Sequence, residues 1–447
     1  MLLTIEKLIY GGDGLGRLPA DSGSQALGRG KAVFVPFVLA GEKIDASLTE
    51  QKPGFARGKA DAIVEPSAHR IPAGCQYFSR CGGCHYQHAS YEHQLSIKKE
   101  ILHESLRRLA KLDLAFDIEV HPSPPWNYRN RSRLQVVVSP TFAAGYFKLA
   151  SHELLAVEEC PISSPLINRG ITALWQSGRA GKVPIGIREV EFFANADDSQ
   201  LLIGISCARE ARRAAVREWA EELRAAMPEI AGVVAFREAN PGDRKASPQE
   251  ILVTAGEDHL TYKTKRAGYR VSAGSFFQTN RHLTDELVTI VTQGQSGEMA
   301  LDLYAGVGLF STALAGDFRH IVSVESSQTS SNDLAYNRPS HGEAVQATTE
   351  QYLARTENVG RAGRGAVPLP KPDLAVVDPP RSGLGEGVAR SLANLGAPRI
   401  IYVSCDPATL ARDLVPMLAA GYRVEQVHLV DLFPQTYHLE SVVHLAR

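Results

Sequence analysis

From about residue 266 to the C-terminus, short apolar runs alternate with stretches of helical spacing, and no other feature narrows the folds open to this chain so far. Ala300 to Tyr304, Ile321 to Glu325, Asp373 to Asp378 and Arg399 to Ser404 each read as a buried strand. Such alternation implies a parallel sheet with helices on both faces. In an open sheet of this kind, ligands bind outside the carboxyl ends of the strands. Those ends carry the turn Gly306-Val307-Gly308, then Glu325, then Asp378-Pro379-Pro380, then Cys405-Asp406-Pro407. Glycines let the backbone approach a nucleotide-like ligand, and an acid about 20 residues further on can accept ribose hydroxyls. Two last strands, Tyr422 to Val430 and Ser441 to Ala446, flank the segment Phe433 to Glu440. Each feature alone has a structural reading; most free cysteines, for instance, are small buried hydrophobes. Their convergence on one sheet edge favours a site.

The N-terminal part is different. Residues 1–66 read as short strands (Leu2 to Ile5, Ala32 to Pro36, Lys43 to Leu48) separated by glycine turns, with an extended loop from Asp21 to Gly30. That pattern suggests a small barrel, either an oligonucleotide-binding module or a packing and linker unit. Net charge is −1, so overall charge does not announce a nucleic-acid partner. No apolar run approaches the ~18 residues of a membrane span, and the N-terminus lacks the pattern of a secretory leader. Both point to a cytoplasmic protein with no membrane partner, and nothing implies an obligate protein partner.

Cys75, Cys81 and Cys84 lie within ten residues, with Gly82-Gly83 between the last two, and Cys160-Pro161 follows far downstream. Zinc sites come mostly as two close pairs. A close triplet plus a distant cysteine before proline favours iron–sulfur ligation by four thiolates. His85, His88 and His93 then read as surface or outer residues. Residues 90–112 have helical spacing, with Lys98, Lys99, Arg107 and Arg108 as a solvated face. Trp126 to Arg133 interleaves aromatics with Arg129, Arg131 and Arg133, a mixture suited to stacking on bases and neutralising phosphates; a strand edge rich in arginine is the plainer reading. Strands near Glu189 to Phe193, Leu201 to Ser206 and Gly232 to Phe236, and an amphipathic helix over Arg209 to Arg224, complete the middle of the chain. Cys207 reads as structural.

Taken together, Ser275-Phe276-Phe277-Gln278-Thr279-Asn280, Asp302 to Gly308, Val324-Glu325, Asp378-Pro379-Pro380-Arg381, Ser404-Cys405-Asp406-Pro407 and His438-Leu439-Glu440 resemble the S-adenosylmethionine-dependent RNA uracil-5 methyltransferases, which act on 23S rRNA or tRNA. The resemblance implies an α/β chain of three domains. These are a TRAM/OB-like small β-barrel (1–66), a central α+β iron–sulfur and RNA-binding domain (67–265), and a Rossmann-like class I methyltransferase domain (266–447). It implies that Gln278, Tyr304, Glu325 and Asp378 contact S-adenosylmethionine, that Cys405 is the nucleophile and that Glu440 is the base. It also implies that Cys75, Cys81, Cys84 and Cys160 hold a [4Fe–4S] cluster. Asp406 stands where the family usually has asparagine, and Leu309 where some members have one. Around Ala347 to Glu350 no acid or amide matches the family's adenine contact.

The expected chemistry is methylation of uracil carbon 5 in RNA, with 23S rRNA favoured over tRNA by the barrel and the cysteine set. Three other readings make different predictions. A cytosine-5 methyltransferase would trap cytosine in the adduct. A non-catalytic iron–sulfur RNA-binding protein would bind RNA without methyl transfer. A small-molecule methyltransferase leaves the barrel and cysteine triplet without a purpose.

Overall fold

The structure is a computed structural model, and it describes residues 1–18, 30–238, 250–359 and 371–447. The loop expected over Asp21 to Gly30 lies almost wholly outside the described residues. The C-terminal region forms an eight-stranded sheet. Its spatial order is Gly342–Gln346, Phe318–Glu325, Gly297–Leu303, Leu374–Val377, Arg399–Ser404, Glu440–Ala446, Arg423–Val430 and Glu119–His121. All run parallel except Glu440–Ala446, which is antiparallel to both neighbours. Strands such as Leu374–Val377 are apolar at every position and buried throughout, as a sheet covered on both faces requires. Chain order reverses between Gly297–Leu303 and Leu374–Val377, and this switch point opens a crevice at the strands' carboxyl ends. The Rossmann-like expectation holds.

The first five strands, Leu2–Leu8, Asp13–Arg17, Ala32–Pro36, Lys43–Gln51 and Phe55–Glu65, close into a barrel. Alternate residues Leu3, Ile5, Val33, Val35 and Ile44 fill its interior. A second sheet of seven strands, from Glu250–Gly256 at one edge to Leu154–Ala156 at the other, carries the helices Pro165–Arg179 and Arg213–Ala226. Trp175 and Trp219 anchor those helices in a core that also buries Cys207. Among the described residues, no helix is long and apolar enough to cross a membrane.

Residues 67–265 are divided between cores. Helix Tyr91–Leu109 packs Ile97, Ile101, Leu102 and Leu106 into the same core as Leu410 and Leu414 of helix Pro407–Ala419, which covers the C-terminal sheet. Strand Glu119–His121 extends that sheet. The expected solvated face of the helix holds for Lys99, Arg107 and Arg108 but needs correction at Lys98. Lys98 is fully buried and pairs with the equally buried Asp431 at 2.6 Å, while also donating to the Phe433 carbonyl. Charge periodicity cannot show which lysine has a buried carboxylate waiting 333 residues downstream.

Breaking a buried pair from one side leaves an uncompensated charge and costs ~3–5 kcal/mol, whereas replacing both partners with apolar groups can be nearly neutral. Lys98→Met is therefore expected to lower the denaturation midpoint sharply. Adding Asp431→Leu should restore much of the loss in urea unfolding followed by circular dichroism.

Candidate active site

The crevice is built from strand ends. Gly297–Leu303 stops at Tyr304, which is forced into the left-handed region (φ 61°), and the chain then turns through Gly306 (φ 58°) and Gly308 (φ 91°). A side chain at Gly308 would press on Leu334 at 2.9 Å, so glycine is required there both for conformation and for space. Glu325 closes the turn from the neighbouring strand. Its Oε2 accepts from the Gly306 amide at 2.9 Å, and its Oε1 accepts from the Ser327 amide at 2.6 Å. Asp302 is fully buried and accepts from the Ser311 amide at 3.0 Å. Burial pushes its carboxyl up to about 7. Asp378 is likewise pushed up to about 7, by burial first and then by the charge of Asp302. Gln278 Nε2 donates to Asp378 Oδ2 at 3.4 Å. The segment bearing Gln278 is pinned at both ends, by Ser275 to Asp333 and by Asn280 to Ser123 and the Leu432 carbonyl.

Cys405 follows the last residue of Arg399–Ser404. Ser404 pairs with Ser441 on the antiparallel neighbour, so the register sets Cys405 beside Glu440. Burial pushes the Cys405 thiol up to about 12, the negative charges of Glu440 and Asp378 add to this, and Arg381 opposes it. Glu440 is buried and its carboxyl is also raised, by burial and then by Asp378, again opposed by Arg381. Asp406 caps helix Pro407–Ala419, accepting from the amides of Ala408 and Thr409 at 3.0 and 2.9 Å. An aspartate is well suited to that position, since a carboxylate favours a helix N-terminus.

Three residues in this site carried no assigned role in the sequence. Tyr10, just beyond the first barrel strand, donates its hydroxyl to the Cys405 carbonyl at 3.0 Å and packs edge-on against Tyr437. Arg381 lies 3.3 Å from His438 Nε2. His438 is pushed down to about 3, chiefly by burial and then by the Arg381 charge, so its ring is neutral and can accept. No local signal marks Tyr10, because its partner is 395 residues away.

Cys75, Cys81, Cys84 and Cys160 line one cavity together with Gln87, Arg129 and Tyr146. Burial raises three of the thiols, Cys81 to about 11 and Cys84 to about 12, and neighbouring sulfurs add to the effect. Of the histidines nearby, only one is fully buried. His88 is buried, and His85 packs against Tyr437 with ring centroids 4.6 Å apart. His93 stacks on His69 at 4.2 Å. Within the arginine segment, Arg129 faces the cysteine cavity, Arg131 donates to the Ser275 carbonyl and lies over Phe193, and Arg133 pairs with Glu191 while staying more than half exposed.

Comparison with known proteins agrees with this geometry. Residues 1–60 match the TRAM domain, and residues 90–447 match the family described as tRNA (Uracil-5-)-methyltransferase. A Streptomyces coelicolor protein described as an uncharacterized RNA methyltransferase is 33% identical, covering 96% of this chain and 91% of its own. A Listeria monocytogenes protein described in the same way is 29% identical over 99% of this chain and 96% of its own. The fold matches the crystal structure of Pyrococcus abyssi tRNA (uracil-54, C5)-methyltransferase in complex with S-adenosyl-L-homocysteine. That likeness has a TM-score of 0.73 at 23% identity and covers all of both chains. The chain belongs to the tRNA (uracil-5-)-methyltransferase family.

Proposed function

We propose that the protein methylates carbon 5 of a specific uridine in 23S rRNA, using S-adenosylmethionine. The observation that carries this reading is the meeting of Cys405, Glu440 and Asp378 at adjacent strand ends, beside a glycine turn and a ribose-type acid. Glu325, held by the Gly306 amide, is placed to accept ribose hydroxyls, with the Tyr304 turn, Gln278 and Asp378 around the rest of the ligand. S-adenosylmethionine supplies an electrophilic methyl on a sulfonium.

Carbon 5 of uracil is a poor nucleophile. Addition of the Cys405 thiolate to carbon 6 turns the ring into an enolate whose carbon 5 attacks that methyl, breaking its bond to sulfur and releasing S-adenosylhomocysteine. The adduct still carries the proton originally on carbon 5. Glu440 removes it, the ring electrons reform the 5,6 double bond, and the Cys405 sulfur leaves. The raised carboxyl of Glu440 makes its ionised form a stronger base, suited to this step. Arg381 favours both ionised forms, as the directions of its effects on Cys405 and Glu440 require. A stacked or paired uracil hides carbon 6, so the base must be flipped out or lie in a loop. The TRAM barrel is the candidate holder of flanking RNA.

The four cysteines fit a [4Fe–4S] cluster. Ligation deprotonates the thiols, and Arg129 at the cavity wall offsets negative charge there. Three of the thiols lie within ten residues and the fourth, Cys160, precedes a proline, a pattern that favours iron–sulfur ligation by four thiolates. We assign the cluster a structural role in organising the cysteine segment, without redox turnover, and place the protein in the reducing interior of the cell.

Anaerobically purified protein with labelled S-adenosylmethionine and separate 23S rRNA and tRNA transcripts tests the reaction and the substrate together. Label should appear as 5-methyluridine in the rRNA and vanish with Cys405→Ala; label in tRNA alone would transfer the assignment to tRNA. Glu440→Gln should still add to RNA and accept the methyl. It should accumulate a protein–RNA adduct that survives denaturing electrophoresis, because the carbon 5 proton stays in place.

Since burial raises the Cys405 thiol, its thiolate fraction grows with pH, and the single-turnover rate should climb about tenfold per pH unit from ~6.5 to ~8.5. Arg381→Gln removes a cation that lowers the thiol, so it should slow the reaction at pH 7, with a higher pH restoring part of the rate. Tyr10→Phe removes one hydrogen bond to the nucleophile's carbonyl, worth ~0.5–1.5 kcal/mol. About a threefold to tenfold loss of rate with unchanged RNA affinity is expected in the same assay.

A further inference from the structure

The sheet edge where strand Glu119–His121 is added carries a cluster that the proposed reaction does not use. Glu119 and His121 are two residues apart and so share a strand face. The parallel register sets Glu119 opposite His428. His121 Nε2 lies 3.0 Å from His428 Nδ1, Glu119 Oε2 lies 3.4 Å from His428 Nδ1, and Glu119 Oε1 lies 3.8 Å from His121 Nε2. Tetrahedral zinc with ~2.0–2.1 Å bonds to nitrogen and oxygen sets its donor atoms ~3.4 Å apart. The three separations bracket that value.

One further observation points the same way. His121 Nδ1 is hydrogen-bonded to Glu286 Oε1 at 3.0 Å, on the first turn of helix Thr284–Thr292. A carboxylate there holds the proton on Nδ1 and leaves the Nε2 lone pair directed at the other two donors, the arrangement that orients metal-bound histidines. Behind His428, the ring of His444 packs edge-on at 5.3 Å. Among the described residues, the buried Nε2 atoms of both rings lack a hydrogen-bond partner. The donor that His428 turns to the other two ligands is Nδ1, and its contact with His121 Nε2 is the one a bound cation would replace.

We propose that Glu119, His121 and His428 bind one divalent cation of the zinc type, with Glu286 orienting His121 and water completing the shell on the side of the exposed Glu119. Imidazole and carboxylate suit zinc. The ligands come from two strands, one of them three residues long, that are joined at three register pairs. A cation bridging them clamps the added strand to the sheet. The clamp adjoins the catalytic loop, because the Asp431 amide donates to the His121 carbonyl at 3.0 Å.

The inference is independent of methyl transfer, and its test reads metal directly. Full-length protein, purified anaerobically, is titrated with Zn²⁺ against a chromophoric chelator, and the bound metal is characterised by X-ray absorption. The expected result is a site with a nitrogen and oxygen shell at ~2.0–2.1 Å and no sulfur at ~2.3 Å. Zinc should raise the melting temperature. His428→Gln should abolish the site. Glu119→Gln, a surface change that leaves folding intact, should weaken it at least tenfold, and Glu286→Gln by about 10- to 100-fold. A zinc shell made only of sulfur, no retained zinc, or affinity unchanged by both His428→Gln and Glu119→Gln would overturn the proposal.

Discussion

The register between Arg399–Ser404 and the antiparallel strand Glu440–Ala446 is the constraint on which the candidate site depends. Ser404 opposite Ser441 sets Cys405 beside Glu440. Side chains alternate faces along a strand, so a slip of one residue would turn Glu440 away from the thiol and move Val442 and Val443 to the wrong sides of a buried sheet. Both strands are buried on both faces, so hydrophobic packing and catalytic geometry are enforced by the same pairing. Glu440 and Cys405 consequently share a poorly solvated setting, and that burial is the main reason both are harder to ionise.

The loop before Glu440 ties the rest of the protein to this register. Asp431 holds Lys98, and the Leu432 carbonyl accepts from Asn280. The Pro434 carbonyl accepts from Tyr128, and Gln435 exchanges two hydrogen bonds with Gln94. Its carbonyl also receives the amides of His85 and Tyr86, immediately after Cys84. Gln435 is held in the left-handed region (φ 69°), a conformation that persists in a non-glycine residue only when its surroundings over-determine it. The cysteine segment, the long helix and the Gln278 segment thus meet on one loop. What holds the cysteine segment therefore also holds the loop that leads to Glu440, so the proposed cluster could act on the proposed reaction through structure alone.

Much of this was legible in the residues themselves. Apolar runs of four to eight residues ending in glycine, acid or cysteine located the strands, because burial on both faces leaves no room for polar residues within them. The glycine turn and Glu325 were visible because a close backbone approach and the proposed ribose contact each demand one residue type at a set spacing. Asp406 was noted only as a departure from the family, and the helix it caps supplies the physical reason it works. For the arginine-rich segment, composition shows that charges exist but not that Glu191, the Ser275 carbonyl and the cysteine cavity lie beside them. Lys98 was misplaced for the same reason.

The sequence by itself determined the strand–helix order, the family, and which residue types stand at each strand end, because these follow from local periodicity and from motifs that are short along the chain. Only the tertiary structure decided which of those ends meet. It added the Tyr10 hydroxyl to the Cys405 carbonyl, buried Lys98 against Asp431, and gathered Glu119, His121, Glu286 and His428 at one edge. Each of these contacts joins residues far apart in the chain. Their energies come from burial and register, which no local window of sequence contains.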